Sequence, residues 1–144
     1  MKTNGSGLIS RIKFLGDRLN EKLIKSSGVD VFNSAQGRIL YVLQENGTLT
    51  ITEISRLTSL AKSTLTSMLE RMEESGLIAK TQNEKNRRQI LITATEKTKK
   101  YQNIYDWLSN EMNEVYYKGF TENEIQNFEN KLNRIIENLL NTKK

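Results

Sequence analysis

The sequence contains no cysteine, no histidine and no proline. Without Cys or His there is no disulfide framework, zinc finger, thiol redox sensor, Cys nucleophile or His-based triad. The same absence leaves the redox compartment unmarked. Long hydrophobic runs are also missing. The first apolar stretch, Leu8-Ile9, is two residues long, so neither a signal-peptide core nor a membrane span is expected. No glycine-rich phosphate loop occurs, no carboxylate pair stands isolated in an apolar setting, and no metal-ligand cluster is present. These absences argue against an enzyme, and no cofactor or metal is expected.

What is there is polar and basic. Apolar residues make up 36% of the 144 positions, and 22 Lys and Arg against 17 Asp and Glu leave a net charge of +5. The mean hydropathy is −0.60. The length suits one domain that buries roughly 70% of the surface its unfolded chain exposes. Such a composition points to a cytoplasmic protein with nucleic acid as the first partner to consider.

Helix starts are marked by a recurring pattern. A capping box sets a small polar residue three positions before Glu or Gln, each side chain satisfying an orphan amide of the other. Asn33…Gln36, Thr50…Glu53, Thr93…Glu96 and Thr121…Glu124 fit it, and each precedes an apolar run. Asn46-Gly47 and Gly76 supply the matching stops, since glycine readily takes the left-handed conformation at a helix C-terminus. The pattern predicts six helices, at about 8–26, 34–45, 51–58, 62–74, 94–117 and 122–141. Residues 1–7 read as a disordered lead-in. Residues 78–81 and 88–93 read as two short strands around a polar turn at 82–87, and Thr48-Leu49 as a minor third strand.

The middle of the chain has helix-turn-helix spacing followed by a β-ribbon. Leu65, Met68, Leu69 and Met72 recur at i, i+3, i+4 and i+7 and form the expected buried face of the second helix. Its N-terminal half carries Lys62, Ser63, Thr64, Thr66 and Ser67, and its C-terminal half Glu70, Glu73 and Glu74. A helix entering the major groove by its N-terminal end needs this asymmetry. Short side chains permit close approach, hydroxyls bond base donors or acceptors, and free amides favour phosphate. Residues 80–100 add Lys80, Lys85, Arg87, Arg88, Lys97, Lys99 and Lys100 against Glu84 and Glu96, a net +5. Phosphate contact is expected of Lys62, Lys80, Lys85 and Arg88, and minor-groove entry of Arg87 at the hairpin tip. For Lys97, Lys99 and Lys100 a solvated face is an equal alternative.

The stretches Lys62-Ser63-Thr64-Leu65-Thr66 and Leu69-Glu70-Arg71-Met72-Glu73-Glu74-Ser75-Gly76-Leu77-Ile78 resemble the recognition helix and exit of the multiple-antibiotic-resistance regulator (MarR) family. Asn86-Arg87-Arg88-Gln89-Ile90-Leu91-Ile92-Thr93 resembles that family's Asp-Arg-Arg wing leading to its fifth helix. Asn86 stands where the family usually has Asp, and Thr98 where Gly is frequent. The resemblance implies a mainly α fold with a small β-hairpin wing: a winged helix-turn-helix flanked by N- and C-terminal dimerisation helices. It implies a homodimer on palindromic double-stranded DNA, with Ser63, Thr64, Thr66 and Ser67 facing bases or phosphates and Arg87 at the wing tip. The segments are 1–30 for the N-terminal dimerisation helix, 31–99 for the DNA-binding domain and 100–144 for the C-terminal dimerisation helices.

The end helices suit that role. Leu8, Ile12, Leu15, Leu19 and Leu23 line the first, and Ile125, Phe128, Leu132, Ile135 and Leu139 line the last at coiled-coil spacing. Residues 8–26 and 100–141 of two chains are expected to intertwine. The family also places an effector pocket between stem and winged module. Phe14, Phe32, Tyr41, Tyr101, Tyr105 and Trp107 are aromatic candidates for its lining, with core packing as the alternative for each, and either a small apolar or phenolic effector or no ligand at all is compatible with the sequence. The expected function is a sequence-specific transcriptional regulator acting as a repressor. The alternative is a protein-interaction module or co-regulator that kept the dimer fold without DNA affinity.

Overall fold

The computed structural model describes residues 1–142. Six α-helices and three strands follow one another as α1 (Gly5–Ser26), α2 (Ser34–Asn46), β1 (Leu49–Thr50), α3 (Ile51–Thr58), α4 (Lys62–Glu74), β2 (Ile78–Asn83), β3 (Asn86–Ala94), α5 (Gln102–Tyr116) and α6 (Glu122–Leu140). A 3-10 segment, Glu96–Tyr101, precedes α5. Where the length suits one domain, the chain forms two compact units, Met1–Ser109 and a second beginning at Asn110. No residue of α6 is buried.

In the first unit the periodic apolar residues become the core. Ile39, Leu40, Ile54, Leu65, Leu69, Met72, Leu77 and Ile92 are essentially inaccessible to solvent. Of the expected α4 face only Met68 is half-buried, packed at the margin. The sheet is antiparallel in the order β1-β3-β2. Leu49 and Thr50 pair with Ile92 and Leu91, so the third strand lies one residue later than the expected Thr48-Leu49, and Lys80 sits across from Ile92 on the other side.

Two capping boxes form in full. Asn33 Oδ1 accepts from the Gln36 amide at 2.9 Å while Gln36 Oε1 accepts from the Asn33 amide at 3.1 Å. Thr50 and Glu53 exchange the same two bonds at 3.2 and 3.1 Å. At α6 the Thr121 hydroxyl accepts from the Glu124 amide at 3.2 Å. The fourth box, Thr93…Glu96, does not form. Thr93 is paired with Ala79 in the sheet, and its hydroxyl meets that of Thr48 at 3.0 Å. Sheet pairing thus overrides a local helix signal.

Three other expectations are corrected. The helix expected at 94–117 is strand to Ala94, then the 3-10 segment, then α5. Thr95 makes the break: its hydroxyl donates to the Gly76 carbonyl at 2.7 Å and its amide to that of Leu77 at 3.2 Å. The expected lead-in is helical from Gly5 onward. The hairpin turn is Glu84-Lys85 rather than six residues, because β2 and β3 pair out to Asn83 and Asn86.

In the second unit, Tyr117, Phe120 and Phe128 pack edge to face around the turn into α6, with ring centroids 5.7 to 6.4 Å apart. The Tyr117 hydroxyl donates to Glu129 at 2.8 Å. Burial and that carboxylate hold its pKa above the ordinary phenol value.

Candidate nucleic-acid interface

The turn between α3 and α4 aims the candidate recognition helix, and short polar side chains hold it. Ser55 donates to the Leu60 carbonyl at 2.6 Å. The buried Thr58 hydroxyl donates to the Ile54 carbonyl at 2.7 Å and accepts from the Leu60 amide at 3.2 Å. Between them Ser59 takes the left-handed conformation, with φ of 60°. The Thr58 hydroxyl therefore serves both helix and turn. Thr58→Val keeps the shape but removes both bonds, and it is expected to lower stability by about 1–3 kcal/mol in urea unfolding. A loss below about half of that would show the turn is held by packing alone.

Helix α4 begins at Lys62 behind Ala61, which offers no side-chain cap. Its first-turn amides are thereby left for an external acceptor. Lys62, Ser63, Thr64, Thr66 and Ser67 are all exposed around that end, opposite the buried Leu65, Leu69 and Met72. Thr66 differs from the others in that its hydroxyl donates to the Lys62 carbonyl at 2.8 Å.

The wing is stiffened by amide side chains. Gln82 Nε2 donates to the Arg87 carbonyl at 2.8 Å and Asn83 Nδ2 to Gln89 Oε1 at 2.9 Å. Asn83 Oδ1 accepts from the Lys85 amide at 3.1 Å, and Asn86 Oδ1 from the Arg88 amide at 3.2 Å. An Asn at position 86 therefore still braces the wing backbone. Lys85 is at the tip. Arg87 is not: it lies two residues beyond, inside β3. Arg87 and Arg88 are exposed consecutive strand residues, so they project from opposite faces of the ribbon.

The basic window divides once folded. Lys80 lies 3.8 Å from Glu73 with its side chain 23% exposed, which turns it toward the acidic end of α4. Lys97 donates to the Ser75 carbonyl at 3.1 Å, closing the C-terminus of α4. Lys99 pairs with Glu96 at 2.9 Å, and Lys100 rides over the Tyr101 ring at 5.1 Å. Lys62, Lys85, Arg87 and Arg88 form no ion pair among the described residues.

Residues 32–90 match the model of the MarR family. The chain belongs to the MarR family. That family consists of transcriptional regulators rather than enzymes. The HTH-type transcriptional repressor IacR of Pseudomonas putida is 31% identical over 117 residues, covering 81% of this chain and 66% of that protein. A SlyA-like transcription regulator from Listeria monocytogenes has the same fold with a TM-score of 0.81 and 26% identity, over 96% of this chain and 90% of that one. A mutant MarR from E. coli complexed with operator DNA superposes with a TM-score of 0.79 at 21% identity, over 90% and 91% of the two chains. The chain spans between 39% and 66% of the length of the curated relatives it matches.

In this MarR-family chain the six aromatic candidates separate into two groups. Phe32, Tyr101 and Tyr105 come together, with Phe32 5.7 Å from Tyr101 and 5.5 Å from Tyr105. Phe14, Tyr41 and Trp107 are exposed and join no aromatic contact among the described residues. The Tyr105 hydroxyl is buried without a hydrogen-bond partner. Its burial, and to a lesser degree Tyr101, pushes its pKa well above the usual phenol value. An open cleft of about 600 Å³ is lined by apolar Ile24, Val31 and Phe32 together with charged Glu21, Lys25 and Asp30, so Phe32 is the one candidate on its wall.

The bracing residues Gln82, Thr95 and Lys97 were not legible as such. Their partners lie 5 to 22 positions away, beyond the reach of helical or strand periodicity. Only Asn83 and Asn86 carried a signal, since Asn beside a short turn often bonds a backbone amide two residues on.

Proposed function

We propose that this MarR-family chain is a homodimeric, sequence-specific DNA-binding regulator that acts as a repressor at a palindromic operator. Recognition helix α4 enters the major groove by its N-terminal end, and the wing reaches the minor groove. One arrangement carries this reading: an uncapped helix start ringed by exposed hydroxyls, beside a braced ribbon whose Lys85, Arg87 and Arg88 have no acidic partner among the described residues. Ser63, Thr64, Thr66 and Ser67 read bases, Arg87 follows the minor groove, and Lys62, Lys85 and Arg88 hold phosphates. Lys80 has the weakest claim because Glu73 competes for it.

One winged module reads one half-site, so a palindrome requires two held at fixed spacing. Support for a dimer comes from apolar side chains that a single chain leaves in water. Ile12 and Leu15 of α1 are 50% and 54% exposed, and Leu139 of α6 is 68% exposed. Segments 1–30 and 100–144 supply these surfaces. A small apolar or phenolic effector belongs to the same reading, with the cleft that Phe32 lines as its candidate place.

The test uses labelled duplex from upstream of the protein's own coding region. Fluorescence anisotropy is expected to give binding at least about a thousandfold tighter than to a scrambled duplex of equal length. Equal affinity for the two overturns sequence-specific recognition. No binding to either favours the interaction-module alternative.

A further inference from the structure

We propose that Thr66 recognises thymine through its γ-methyl group, and so specifies one base in each half-site. This inference rests on the DNA-binding reading above. Thr66 is exposed on α4, and helical spacing puts it on one face with Ser63, Ser67 and Glu70. Its hydroxyl carries a single proton. That proton is already donated to the Lys62 carbonyl one turn back, at 2.8 Å.

The neighbouring hydroxyls are placed differently. Ser63 and Thr64 lie in the first turn of α4, where no helical carbonyl stands four residues earlier to receive them. Ser67 has such a carbonyl in Ser63, yet it donates to no protein acceptor among the described residues. These three keep a proton for an outside partner, whereas Thr66 does not.

What Thr66 offers a base edge follows from that difference. Guanine presents only acceptors in the major groove, and a hydroxyl without a free proton gives them nothing. The amino groups of adenine and cytosine would have to reach an oxygen drawn against the backbone of its own helix. The methyl on the same β-carbon is left as the outward group. Thymine is the base whose major-groove edge carries a methyl to meet it. A serine at this position would make the same backbone bond and lack the apolar contact.

The experiment selects tight duplexes from a random-sequence pool with the wild-type protein, then replaces each thymine of the winner by deoxyuridine, which pairs identically and lacks the methyl. At one thymine per half-site the change is expected to weaken wild-type binding about fourfold, the effect of burying one methyl. Thr66→Ser is expected to bind thymine and uracil duplexes equally. Thr66→Val, which keeps a methyl and loses the hydroxyl, is expected to retain the preference. Far-UV circular dichroism checks that both variants remain helical. Enrichment without any thymine-to-uracil effect overturns this inference alone, as does a thymine preference that survives Thr66→Ser or vanishes in Thr66→Val. Failure to enrich any sequence overturns the DNA-binding reading together with it.

Discussion

Raising monovalent salt from 50 to 200 mM is expected to weaken operator binding by about three orders of magnitude. The size follows from the number of phosphates a dimer can neutralise. Each chain offers Lys62, Lys85 and Arg88 as exposed cations without an acidic partner among the described residues, and Arg87 is assigned to the minor groove. Two chains then release counterions from about six phosphates, which gives a logarithmic slope near −5 and a loss of about a thousandfold over a fourfold rise in salt. Had Lys80 and the lysines at 97, 99 and 100 been free, the slope would be more than twice as steep. Their ties to Glu73, the Ser75 carbonyl, Glu96 and the Tyr101 ring remove them. Anisotropy titrations across the salt series measure the slope directly. Lys85→Ala is expected to reduce it by about 2 for the dimer, and Lys80→Ala by less than half as much. A slope indistinguishable from zero removes the phosphate contacts altogether.

The double substitution Ile135→Asp with Leu139→Asp is expected to convert a dimer into monomers and to reduce operator affinity by at least about a hundredfold. The reasoning uses exposure as a discriminator. In the single chain these side chains are 39% and 68% exposed, and substitutions at such positions in a monomer change stability by no more than about 0.5 kcal/mol. In a dimer the same side chains leave water at the subunit interface. Burying an aliphatic side chain is worth about 1.5–3 kcal/mol, and burying an unpaired carboxylate is far worse. Each substitution then acts twice, once per chain. Sedimentation at micromolar concentration reads the outcome. A wild-type protein that sediments as a monomer, or a variant that stays dimeric, overturns the proposed role of α6. DNA affinity falls because separate half-site modules lose the advantage of linked binding.

Helix positions were written in the sequence because their signals act within four residues. Asn33…Gln36 and Thr50…Glu53 close their boxes across one turn. Gly47 and Gly76 carry φ of 76° and 79° just beyond α2 and α4, where the missing β-carbon makes that conformation easy. Leu65, Leu69 and Met72 bury as their spacing requires. The hydroxyl-rich start of α4 and the basic hairpin were legible for the same reason, as runs of adjacent residues.

Tertiary structure decided whatever depends on partners distant along the chain. Thr93 fits a capping box yet becomes a strand residue, because the Ala79 backbone and the Thr48 hydroxyl are there to pair with it. Arg87 moves from the tip into β3 because the ladder extends to Asn83 and Asn86. Composition counts seven cations between residues 80 and 100, and folding sorts them into those tied to the module and those with no ion pair among the described residues. The missing cysteine and histidine exclude thiol chemistry and thiolate- or imidazole-ligated metal sites from sequence alone, since chemistry without its atoms cannot be folded into existence. Which hydroxyl on α4 keeps its proton is decided by the folded geometry: Thr66 donates to the Lys62 carbonyl, whereas Ser63, Thr64 and Ser67 donate to no protein acceptor among the described residues.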